Sequence, residues 1–343
     1  MIRNNVEIRP FEDCIKKVKY TKKVASQDFK ESGRFPIVSQ EEAFISGYWD
    51  NPDDVFSIDG PVVIFGDHSR HVKYVDFDFV IGADGVKILA PVDDINAKYF
   101  YYYLKSQRIQ SLGYSRHYKV LKEKMVPVPS LADQQRIVDE LDLLSGIVEK
   151  KNAQLKTIDD LAMSVFAETF DCDVHNWNEK PLVNCVNKVK YTTKLQTKDF
   201  LKNGKFPIIS QEEEFISGYW NSPEDLFRVK KPVVIFGDHT RVLKYIDFDF
   251  VLGADGVRIL EPIDELNPQY LYYFLRSNPV ENLGYSRHFK LLKEKMVVIP
   301  PVSMQKVFAE KVKSINKQKI VIGSSLRVAT ELLNSRIDTY FNV

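Results

Sequence analysis

The sequence predicts an α+β protein in which two like domains are separated by a long antiparallel two-helix coiled coil. Three observations support this prediction: an internal repeat, short apolar runs punctuated by glycine, and apolar residues at heptad spacing. The repeat sets the number of domains, and the short runs indicate their class. The heptads predict the helices that join the domains.

The repeat relates residues 19–129 to residues 190–300 without an insertion or deletion, at a constant offset of 171 residues (190 − 19). About three fifths of the aligned residues are identical. A repeat of this length is a duplicated globular module rather than a short-period solenoid. A protein with two like halves is expected to act on a target that also has two like halves.

Length and composition favour two or more domains, because 343 residues with 44% hydrophobic content can bury more than one core. The formal net charge is +1, so any nucleic-acid interface must come from local clusters of basic residues. Two such clusters recur in both repeats. They are Lys16, Lys17, Lys19, Lys22 and Lys23 with Lys188, Lys190 and Lys194, and Arg116, His117, Lys119, Lys122 and Lys124 with Arg287, His288, Lys290, Lys293 and Lys295.

The cysteines and the apolar runs predict a cytoplasmic protein. Of the three cysteines, Cys14 and Cys185 are repeat equivalents and therefore poor candidates for pairing with each other, which leaves Cys172 as an odd residue. This pattern fits a reducing compartment. No apolar run approaches the length of a membrane span, and the amino terminus lacks the apolar core of a signal peptide.

The first part of each repeat has the composition of a mixed α+β domain. The runs 61–65 and 76–81 predict strands, and the second alternates polar and apolar residues as a half-buried strand does. A helix is expected to begin near Asn96. In the second repeat, Asn267 followed by Pro268 supplies an N-cap and a proline at the first helical position.

The second part of each repeat predicts a coiled-coil helix, with Ser130 and Asp133 as the start signal of the first one. Apolar residues follow spacings of three and four over more than four heptads, interrupted only by Lys151 and Lys319. At 1.5 Å per residue each helix is roughly 55 Å long. The two stripes are Ile137, Leu141, Leu144, Val148, Leu155, Ile158, Ala162 and Val165, and Phe308, Val312, Ile315, Ile322, Leu326, Ala329 and Leu333.

A helix of this length needs a partner, and the chain contains two. An antiparallel pair within the chain would relate the domains by a pseudo-twofold axis, whereas dimerisation would give a parallel pair. Matching stripe lengths favour the first arrangement. The expected division is a first domain at 1–130, a helix at 131–171, a second domain at 172–301 and a helix at 302–343.

The loop 66–70, Gly-Asp-His-Ser-Arg, recurs at 237–241 and follows a strand-like run in both repeats. Aspartate, histidine and arginine can contact base edges or phosphates. A polar turn without a ligand explains the same residues. A metal or acid–base pair is the third interpretation, but no further carboxylate stands at metal-ligand spacing.

The segment 114–119 packs aromatic, hydroxyl, guanidinium, imidazole and ammonium groups into six residues, which recur at 285–290 with one change. Arginine and lysine neutralise phosphates, and arginine also pairs with guanine. A solvated basic loop is the alternative. Because both halves of the chain hold the same cluster, nucleic-acid contact is favoured.

Two further segments have competing interpretations. Ser39-Gln40-Glu41-Glu42, which recurs at 210–213, presents either polar groups to bases or the start of a capped helix. Asn267-Pro268-Gln269-Tyr270 resembles a catalytic motif of DNA amino-methyltransferases. The helix cap already accounts for it, and no glycine-rich cofactor loop precedes it, so we expect no methylation by this chain alone.

The candidate contacts to DNA fall at equivalent positions in the two repeats. In the first repeat they are Lys19, Ser39, Gln40, Asp67, His68, Arg70, Tyr114, Ser115, Arg116, His117, Lys119 and Lys122. In the second they are Lys190, Ser210, Gln211, Asp238, His239, Arg241, Tyr285, Ser286, Arg287, His288, Lys290 and Lys293. The candidate coiled-coil and partner contacts are Ile137, Leu141, Leu144, Val148, Leu155, Ile158, Val312, Ile315, Ile322, Leu326 and Leu333.

The order of domain, helix, domain and helix resembles the specificity (S) subunit of type I restriction–modification systems. The stretch 128–135, with proline and then Gln134-Gln135, is similar to the start of that family's conserved helix. The helix ends, with Leu161, Ser164 and Phe170 and with Leu332, Ser335 and Phe341, are also similar. One departure is that the second helix start keeps only the first glutamine, Gln305.

The resemblance implies a non-catalytic subunit of a host-defence complex, whose domains are target-recognition domains that each read half of a bipartite site in double-stranded DNA. It also implies that the helices form a spacer and dock two methyltransferase subunits, which modify adenine with S-adenosylmethionine. Restriction subunits would use ATP and Mg²⁺. The chain itself would bind no cofactor or metal.

Nearly identical loops on twofold-related domains predict an interrupted palindrome as the target, because such domains meet DNA strands of opposite polarity. Asymmetry would arise at four differences, namely Ala43/Glu214, Ser69/Thr240, His71/Val242 and Tyr118/Phe289. Two other classes of protein compete with this prediction. One is a stand-alone metal-dependent nuclease that uses Asp67, His68, Asp238 and His239, and the other is a scaffold that binds no DNA.

Overall fold

The computed structural model describes residues 6–110, 113, 115–170, 177–254, 256–284 and 286–341. The chain forms two compact units, and each unit takes part of both long helices. Unit 1 joins the chain up to Asn152 to the segment that begins at Ser324. Unit 2 is the segment Ala153–Gly323.

In the described part of unit 1, eleven strands and two short helices precede the first long helix. Its strands are β1 (Glu7–Pro10), β2 (Ile15–Lys16), β3 (Lys23–Val24), β4 (Phe35–Val38), β5 (Gly47–Trp49), β6 (Val55–Phe56), β7 (Val62–Gly66), β8 (Val72–Val75), β9 (Phe79–Gly82), β10 (Val86–Pro91) and β11 (Met125–Val128). Its helices are α1 (Ala97–Ser106), α2 (Tyr118–Lys122) and the start of α3 (Leu131–Phe170). Short 3₁₀ turns lie at Phe11–Cys14, Ser26–Asp28 and Pro52–Asp54.

The strands of unit 1 form three small sheets. β1 pairs antiparallel with β11, and a four-stranded antiparallel sheet has the order β2-β10-β7-β8. The third sheet has the order β3-β9-β4-β5, with β6 also on β9, and its β3–β9 and β4–β9 pairs are parallel. Together with α1 and α2 these sheets make the predicted mixed α+β domain.

Unit 2 repeats this pattern strand for strand. Its strands are β12 (Asn178–Pro181), β13 (Val186–Asn187), β14 (Lys194–Leu195), β15 (Phe206–Ile209), β16 (Gly218–Trp220), β17 (Leu226–Phe227), β18 (Val233–Gly237), β19 (Leu243–Ile246), β20 (Phe250–Gly253), β21 (Val257–Pro262) and β22 (Met296–Ile299). Its helices are α4 (Leu182–Cys185), α5 (Pro268–Ser277), α6 (Phe289–Glu294) and the start of α7 (Val302–Phe341), and 3₁₀ turns lie at Thr197–Asp199 and Pro223–Asp225. The sheets are β12-β22, β13-β21-β18-β19, and β14-β20-β15-β16 with β17 on β20.

The run 76–81 differs from its prediction as a half-buried strand. Strand β9 begins only at Phe79, and all four of its residues are buried. The strand is covered because it is central, with β3, β4 and β6 as neighbours. Asp78 precedes the strand, and its carboxylate accepts a hydrogen bond from the backbone N–H of Ile58 at 2.9 Å.

The helix caps predicted from sequence are present. The Asn96 side chain accepts hydrogen bonds from the backbone N–H groups of Lys98 and Tyr99 at the start of α1. Asn267 does the same at the start of α5, where Pro268 is the first residue. These bonds satisfy amide groups that have no partner within the helix.

Both long helices have 40 residues and begin at equivalent positions of the repeat. Ser130 Oγ accepts from the Asp133 N–H at 3.2 Å, which is the predicted cap of α3. Gln134 is fully buried and links the helix start to α1, since its Oε1 accepts from the Asn96 N–H at 2.7 Å. Gln305 makes the same bond to Asn267. The one glutamine that α7 keeps is therefore the buried structural one.

The two long helices pack antiparallel, as contacts inside each unit show. In unit 1, Arg336 of α7 forms an ion pair with Glu140 of α3. In unit 2, Lys319 of α7 lies 2.7 Å from Asp159 of α3. Residue numbers thus rise along α3 while they fall along α7. Both ion pairs form within one chain, so the helix pairing does not need the dimer of the alternative interpretation.

The heptad stripes are buried toward the helix ends that enter the domain cores. Ile137, Leu141, Leu144 and Ile158 of α3 are buried, and so are Val312 and Ile315 of α7. The remaining candidate positions, Val148, Leu155, Ile322, Leu326 and Leu333, are half-buried. Each long helix therefore enters a domain core at both of its ends and is more exposed along its middle.

Aromatic residues at the helix ends complete each core. In unit 1, Phe341 packs against Tyr99 and Tyr103 of α1 at ring distances of 5.1 and 6.1 Å. In unit 2, Phe308 packs against Phe166 of α3 at 5.5 Å and against Tyr273 of α5 at 5.4 Å. Within the described ranges, no helix is both long enough and apolar enough to cross a membrane.

Phe308→Ala should destabilise the protein by about 3–5 kcal/mol, because it removes a fully buried ring and leaves a cavity. The neighbouring Val307 is 58% exposed, so Val307→Ala should change stability by less than about 0.5 kcal/mol. Urea denaturation followed by circular dichroism measures both variants. Similar losses for the two would mean that Phe308 does not close the core.

Candidate nucleic-acid interface

The turn between β7 and β8 is a tight loop closed by its own backbone. The Arg70 N–H donates to the Gly66 carbonyl at 2.7 Å, and the Gly66 N–H donates to the His71 carbonyl at 2.9 Å. Arg70 has a φ of 65°, a left-handed conformation that is uncommon for residues other than glycine. Arg241, its counterpart, has a φ of 62°. Backbone strain of this kind is found most often at binding and catalytic sites.

Each of these arginines donates a hydrogen bond to a backbone carbonyl in the segment that follows helix α1 or α5. Arg70 Nη1 donates to the Ile109 carbonyl at 3.0 Å, and Arg241 Nη1 donates to the Val280 carbonyl at 3.2 Å. Arg70 remains exposed, whereas Arg241 is half-buried. The guanidinium therefore has a fixed position while part of it still faces solvent in each unit.

The Asp67 carboxylate lies at the centre of this region and is almost fully buried. It accepts a hydrogen bond from the Tyr118 N–H at 2.8 Å, and Lys87 Nζ lies 3.7 Å from its other oxygen. The Asp67 carbonyl accepts from the His117 N–H at 2.8 Å and faces the His117 Nδ1 at 3.0 Å. The turn 66–71 is thereby joined to the loop 115–119.

Unit 2 builds the same junction with a stronger ion pair. Arg258 stands where unit 1 has Lys87, and its Nη2 lies 2.7 Å from Asp238 Oδ2. Burial raises the pKa of Asp238, but the Arg258 guanidinium and the Phe289 N–H outweigh burial and hold this pKa below its usual range. The His288 ring is fully buried, and its Nε2 accepts from the Leu283 N–H at 3.1 Å.

Gln40 packs inside the junction rather than extending into solvent. Its Oε1 accepts from the His68 N–H at 3.1 Å, and its carbonyl accepts from Ser69 Oγ at 2.5 Å. Gly85 has a φ of 84°, and a Cβ there would lie 2.4 Å from Gln40 Oε1. Glycine is thus required at Gly85 both for its conformation and for the space that the amide occupies.

The segment 39–46 is fixed by two further anchors. Ser39 Oγ lies 2.7 Å from Ser46 Oγ and accepts from the Glu41 N–H at 3.0 Å. Lys73 is buried, and its Nζ donates to the carbonyls of Ser39 at 2.9 Å and Ala43 at 2.5 Å. Burial lowers the pKa of Lys73. The segment is a loop anchored by these hydrogen bonds, and not the capped helix start that its sequence also allowed.

These contacts define a loop cluster in each unit. In unit 1 it consists of the loop 39–46, the turn 66–71, Gly85 and the loop 115–119. The equivalent hydrogen bonds of unit 2 join Gln211 to His239, Asp238 to Phe289, and Lys244 to Ser210. Both units thus hold the same frame of backbone and buried side chains.

Basic and aromatic side chains lie together beside the loop cluster. Lys87 and Lys122 have their Nζ atoms 5.4 and 5.7 Å from the Tyr118 ring centroid. Lys23 lies 5.4 Å from the Tyr20 ring, whose hydroxyl accepts from the Ile88 N–H. In unit 2, Arg258 and Lys293 lie over Phe289 at 5.0 and 5.7 Å. Cations held beside aromatic faces can neutralise phosphates.

The candidate contacts divide into three groups by exposure. Exposed members, which can meet a ligand directly, are Lys19, Arg70, Arg116, Lys119, Lys122, Lys190, Arg287, Lys290 and Lys293. Half-buried members are Gln40, His68, Ser115, Gln211, His239, Arg241 and Ser286. Buried members, which have internal partners, are Ser39, Asp67, His117, Ser210, Asp238 and His288. Tyr114 and Tyr285 lie outside the described residues.

The sequence prediction missed Lys87 and Arg258, which neutralise the buried carboxylates, and Lys73 and Lys244, which anchor the 39–46 and 210–217 loops. It also did not include Tyr20 and Tyr191, whose hydroxyls accept hydrogen bonds from the N–H groups of Ile88 and Ile259. Lys-Tyr-Thr at residues 19–21 recurs in the second repeat, so the tyrosines carried a signal. The lysines on strands carried none beyond recurrence, because their burial depends on distant loops.

A metal centre at the Gly-Asp-His turns finds no geometric basis. Asp67 is buried and paired with Tyr118 and Lys87, and Asp238 is paired with Phe289 and Arg258. The residues that the structure describes contain no group of three or more histidine, cysteine, aspartate or glutamate side chains placed to hold a metal ion.

Comparisons with known proteins point to one family. Residues 4–157 match the type I restriction modification DNA specificity domain. A 145-residue alignment with the type I restriction enzyme EcoR124I/EcoR124II specificity subunit of Escherichia coli is 28% identical. It covers 38% of this chain and spans only 36% of the length of that subunit.

Two solved structures share the fold over nearly the whole chain. The type I restriction–modification S subunit from M. genitalium has a TM-score of 0.63 at 17% identity, covering 99% of this chain and 96% of its own. A chain from a structure on complex assembly and conformational transition of the type I R-M system has a TM-score of 0.50 at 13% identity, with 99% and 98% covered. At such identities the likeness concerns the fold alone.

Because folding lowers the pKa of Asp238, its ionised carboxylate adds to the free energy of unfolding. This contribution is complete above the unfolded pKa of about 3.9 and is lost as pH falls through the lower folded pKa. Between about pH 5 and pH 3, wild-type unfolding free energy should therefore fall more than that of Asp238→Asn. Urea titrations across this range measure the difference. Parallel curves for the two proteins would contradict the assigned ion pair.

Proposed function

We propose that the chain is a specificity subunit of the type I restriction–modification family and that it reads a bipartite duplex DNA site. Each domain would recognise one half of the site, and the protein would act in the cytoplasm as part of a larger complex. Because the aligned part spans about a third of the Escherichia coli subunit, these activities of the whole protein are part of the proposal.

The observation that carries the proposal is the duplicated loop cluster. A buried aspartate, a glutamine packed against glycine and a left-handed arginine recur in both units with the same hydrogen bonds. Two loop clusters with the same hydrogen bonds suit a ligand that presents the same chemical groups twice. Duplex DNA with related half-sites is such a ligand.

The exposed basic groups are proposed as the direct contacts. Arg116, Lys119 and their counterparts Arg287 and Lys290 would neutralise phosphates, and Arg70 would meet a base edge or a phosphate. The buried aspartates, histidines and serines would act by positioning these loops. With a net charge of +1, affinity would depend on these local clusters and on the partner subunits.

The antiparallel helices bear on the direction in which each recognition domain would read DNA. In each unit, the first half of one helix accompanies the second half of the other. We infer that a tandem repeat in the protein thereby matches an inverted repeat in DNA, as for other twofold-related readers. The functional division would be recognition domains at 1–130 and 172–301, with spacer helices at 131–171 and 302–343.

The partners proposed for the complex supply its chemistry. Two methyltransferase subunits would dock on the helices and use S-adenosylmethionine, and restriction subunits would use ATP and Mg²⁺. This chain would hold no cofactor and catalyse no step. A stand-alone nuclease is disfavoured because the Asp67 and Asp238 carboxylates are already buried and paired. Cleavage of DNA by the purified chain with Mg²⁺ would support the nuclease interpretation instead.

Arg116→Ala combined with Arg287→Ala should weaken DNA binding and flatten its salt dependence. Each lost phosphate contact lowers the slope of log affinity against log salt by about one. Fluorescence anisotropy with duplex DNA, at several KCl concentrations and with the partner subunits present, measures both effects.

Arg228→Ala is the matched control, because Arg228 is an exposed arginine of unit 2, outside the proposed contacts, that pairs with Asp249 at 2.8 Å. It should leave affinity and slope near the wild-type values. An unchanged slope in the Arg116 and Arg287 double variant would remove these arginines from the DNA contacts.

The methylated site in the source cell should be an interrupted palindrome whose halves are identical or differ only slightly. The reason is that the two loop clusters share their frame and most of their exposed groups. Long-read sequencing that detects methylated adenine gives the site directly. Two unrelated half-sites would be incompatible with equivalent readers.

A further inference from the structure

Unit 2 contains a cleft of about 650 Å³ between the loop 212–216, helix α5 and helix α7. Its domain side is aromatic. Phe215 and Phe248 meet edge to face at 6.1 Å, and Tyr245 and Tyr272 do so at 6.3 Å. Clefts of this size with aromatic walls are typical of binding sites.

The helix side of the cleft carries basic and apolar residues. Lys313, Lys317 and Ile320 of α7 line it, and Ile320 is 69% exposed. Arg276 contributes a further cation, with its guanidinium 5.5 Å from the Tyr272 ring. Of the two lining carboxylates, Asp159 is already paired with Lys319 at 2.7 Å. The cleft therefore has a positive excess.

The equivalent position in unit 1 has the opposite helix charge. At the offset of 171 residues, Lys313 corresponds to Asp142 and Ile320 to Glu149. Asp142 forms an ion pair with Lys98 at 2.7 Å and accepts a hydrogen bond from the Tyr102 hydroxyl at 2.7 Å. In unit 2 the counterpart of Lys98 is the neutral Gln269. The ion pair that occupies this place in unit 1 cannot form there.

We propose that the unit 2 cleft binds an acidic segment of a partner protein, with apolar side chains of that segment seated between Phe215, Tyr272 and Ile320. Lys313, Lys317 and Arg276 would pair with its carboxylates. The two repeats then differ in protein binding although they are alike in their loop clusters. This inference rests on the proposed assembly with partner subunits and does not depend on the bases read.

A protein segment fits this surface better than DNA or a small anion. Exposed apolar residues continue past the cleft, since Val321 is 68% exposed and Ile216 is 38% exposed. Extended apolar surface rimmed by charge marks protein interaction sites. A phosphate backbone would leave the aromatic walls unused, and a small anion would leave the outer apolar residues uncovered.

Photocrosslinking in the complete complex tests the proposal. Ile320 is replaced by p-benzoyl-phenylalanine in the full chain, and the complex with its partner subunits and duplex DNA is irradiated and digested for mass spectrometry. Glu149, the equivalent position in unit 1, receives the same photoprobe as the matched control. Duplex binding by anisotropy is measured in parallel, so that loss of DNA recognition is seen separately.

The expected result is a crosslink from position 320 to an acidic, apolar segment of a partner subunit, and at least about tenfold less of it from position 149. Adding Lys313→Asp and Lys317→Glu should reduce the position 320 crosslink by about tenfold, because both ion pairs are reversed. Lys311→Glu, on the same helix outside the cleft, should leave it within about twofold. Crosslinks to DNA alone, to a basic segment, equally from both positions, or to nothing would overturn the proposal.

Discussion

Each loop cluster depends on one buried carboxylate, Asp67 in unit 1 and Asp238 in unit 2. A charge removed from water is tolerated only when hydrogen bonds and an opposite charge compensate it. Here the backbone N–H of Tyr118 or Phe289 and the cation of Lys87 or Arg258 supply that compensation. The aspartate thereby joins its own turn to the loop that lies 50 residues further along the chain. The exposed arginines and lysines are placed by this junction.

The long helices are structural parts of the domains as well as connections between them. Tyr102 of α1 bonds to Asp142 of α3, and Phe341 of α7 packs on the rings of the same helix α1. A domain core that includes helix residues cannot be separated from the helices without exposing apolar surface. In unit 1, helix α1 thus packs against both long helices.

Local patterns in the sequence predicted the frame of the fold well. The caps at Asn96, Ser130 and Asn267 and the two 40-residue helices follow from local hydrogen bonding and from apolar spacing. The burial of Asp67 and His117 could not be predicted in this way. Polar residues in turns are normally exposed, and the partners of Asp67 lie far away in sequence.

The cleft in unit 2 was equally hidden from the sequence. Its lining comes from a loop, a strand, α5 and α7, which periodicity alone does not bring together. In the sequence, the change from Asp142 to Lys313 is an isolated difference between the repeats. The structure shows that Asp142 pairs with Lys98, whose counterpart in the second repeat is the neutral Gln269. Register and capping are local properties, whereas burial and charge balance depend on tertiary neighbours.

Gln40 and Gly85 show how the two halves of the protein can diverge. The amide fills the space that a side chain at Gly85 would need, and Gln211 and Gly256 repeat the arrangement. These packed residues are identical in both repeats, while substitutions such as Ala43/Glu214 and His71/Val242 lie at the rim. Because the packed residues are kept and the exposed ones differ, the two copies of a duplicated gene can acquire different binding preferences.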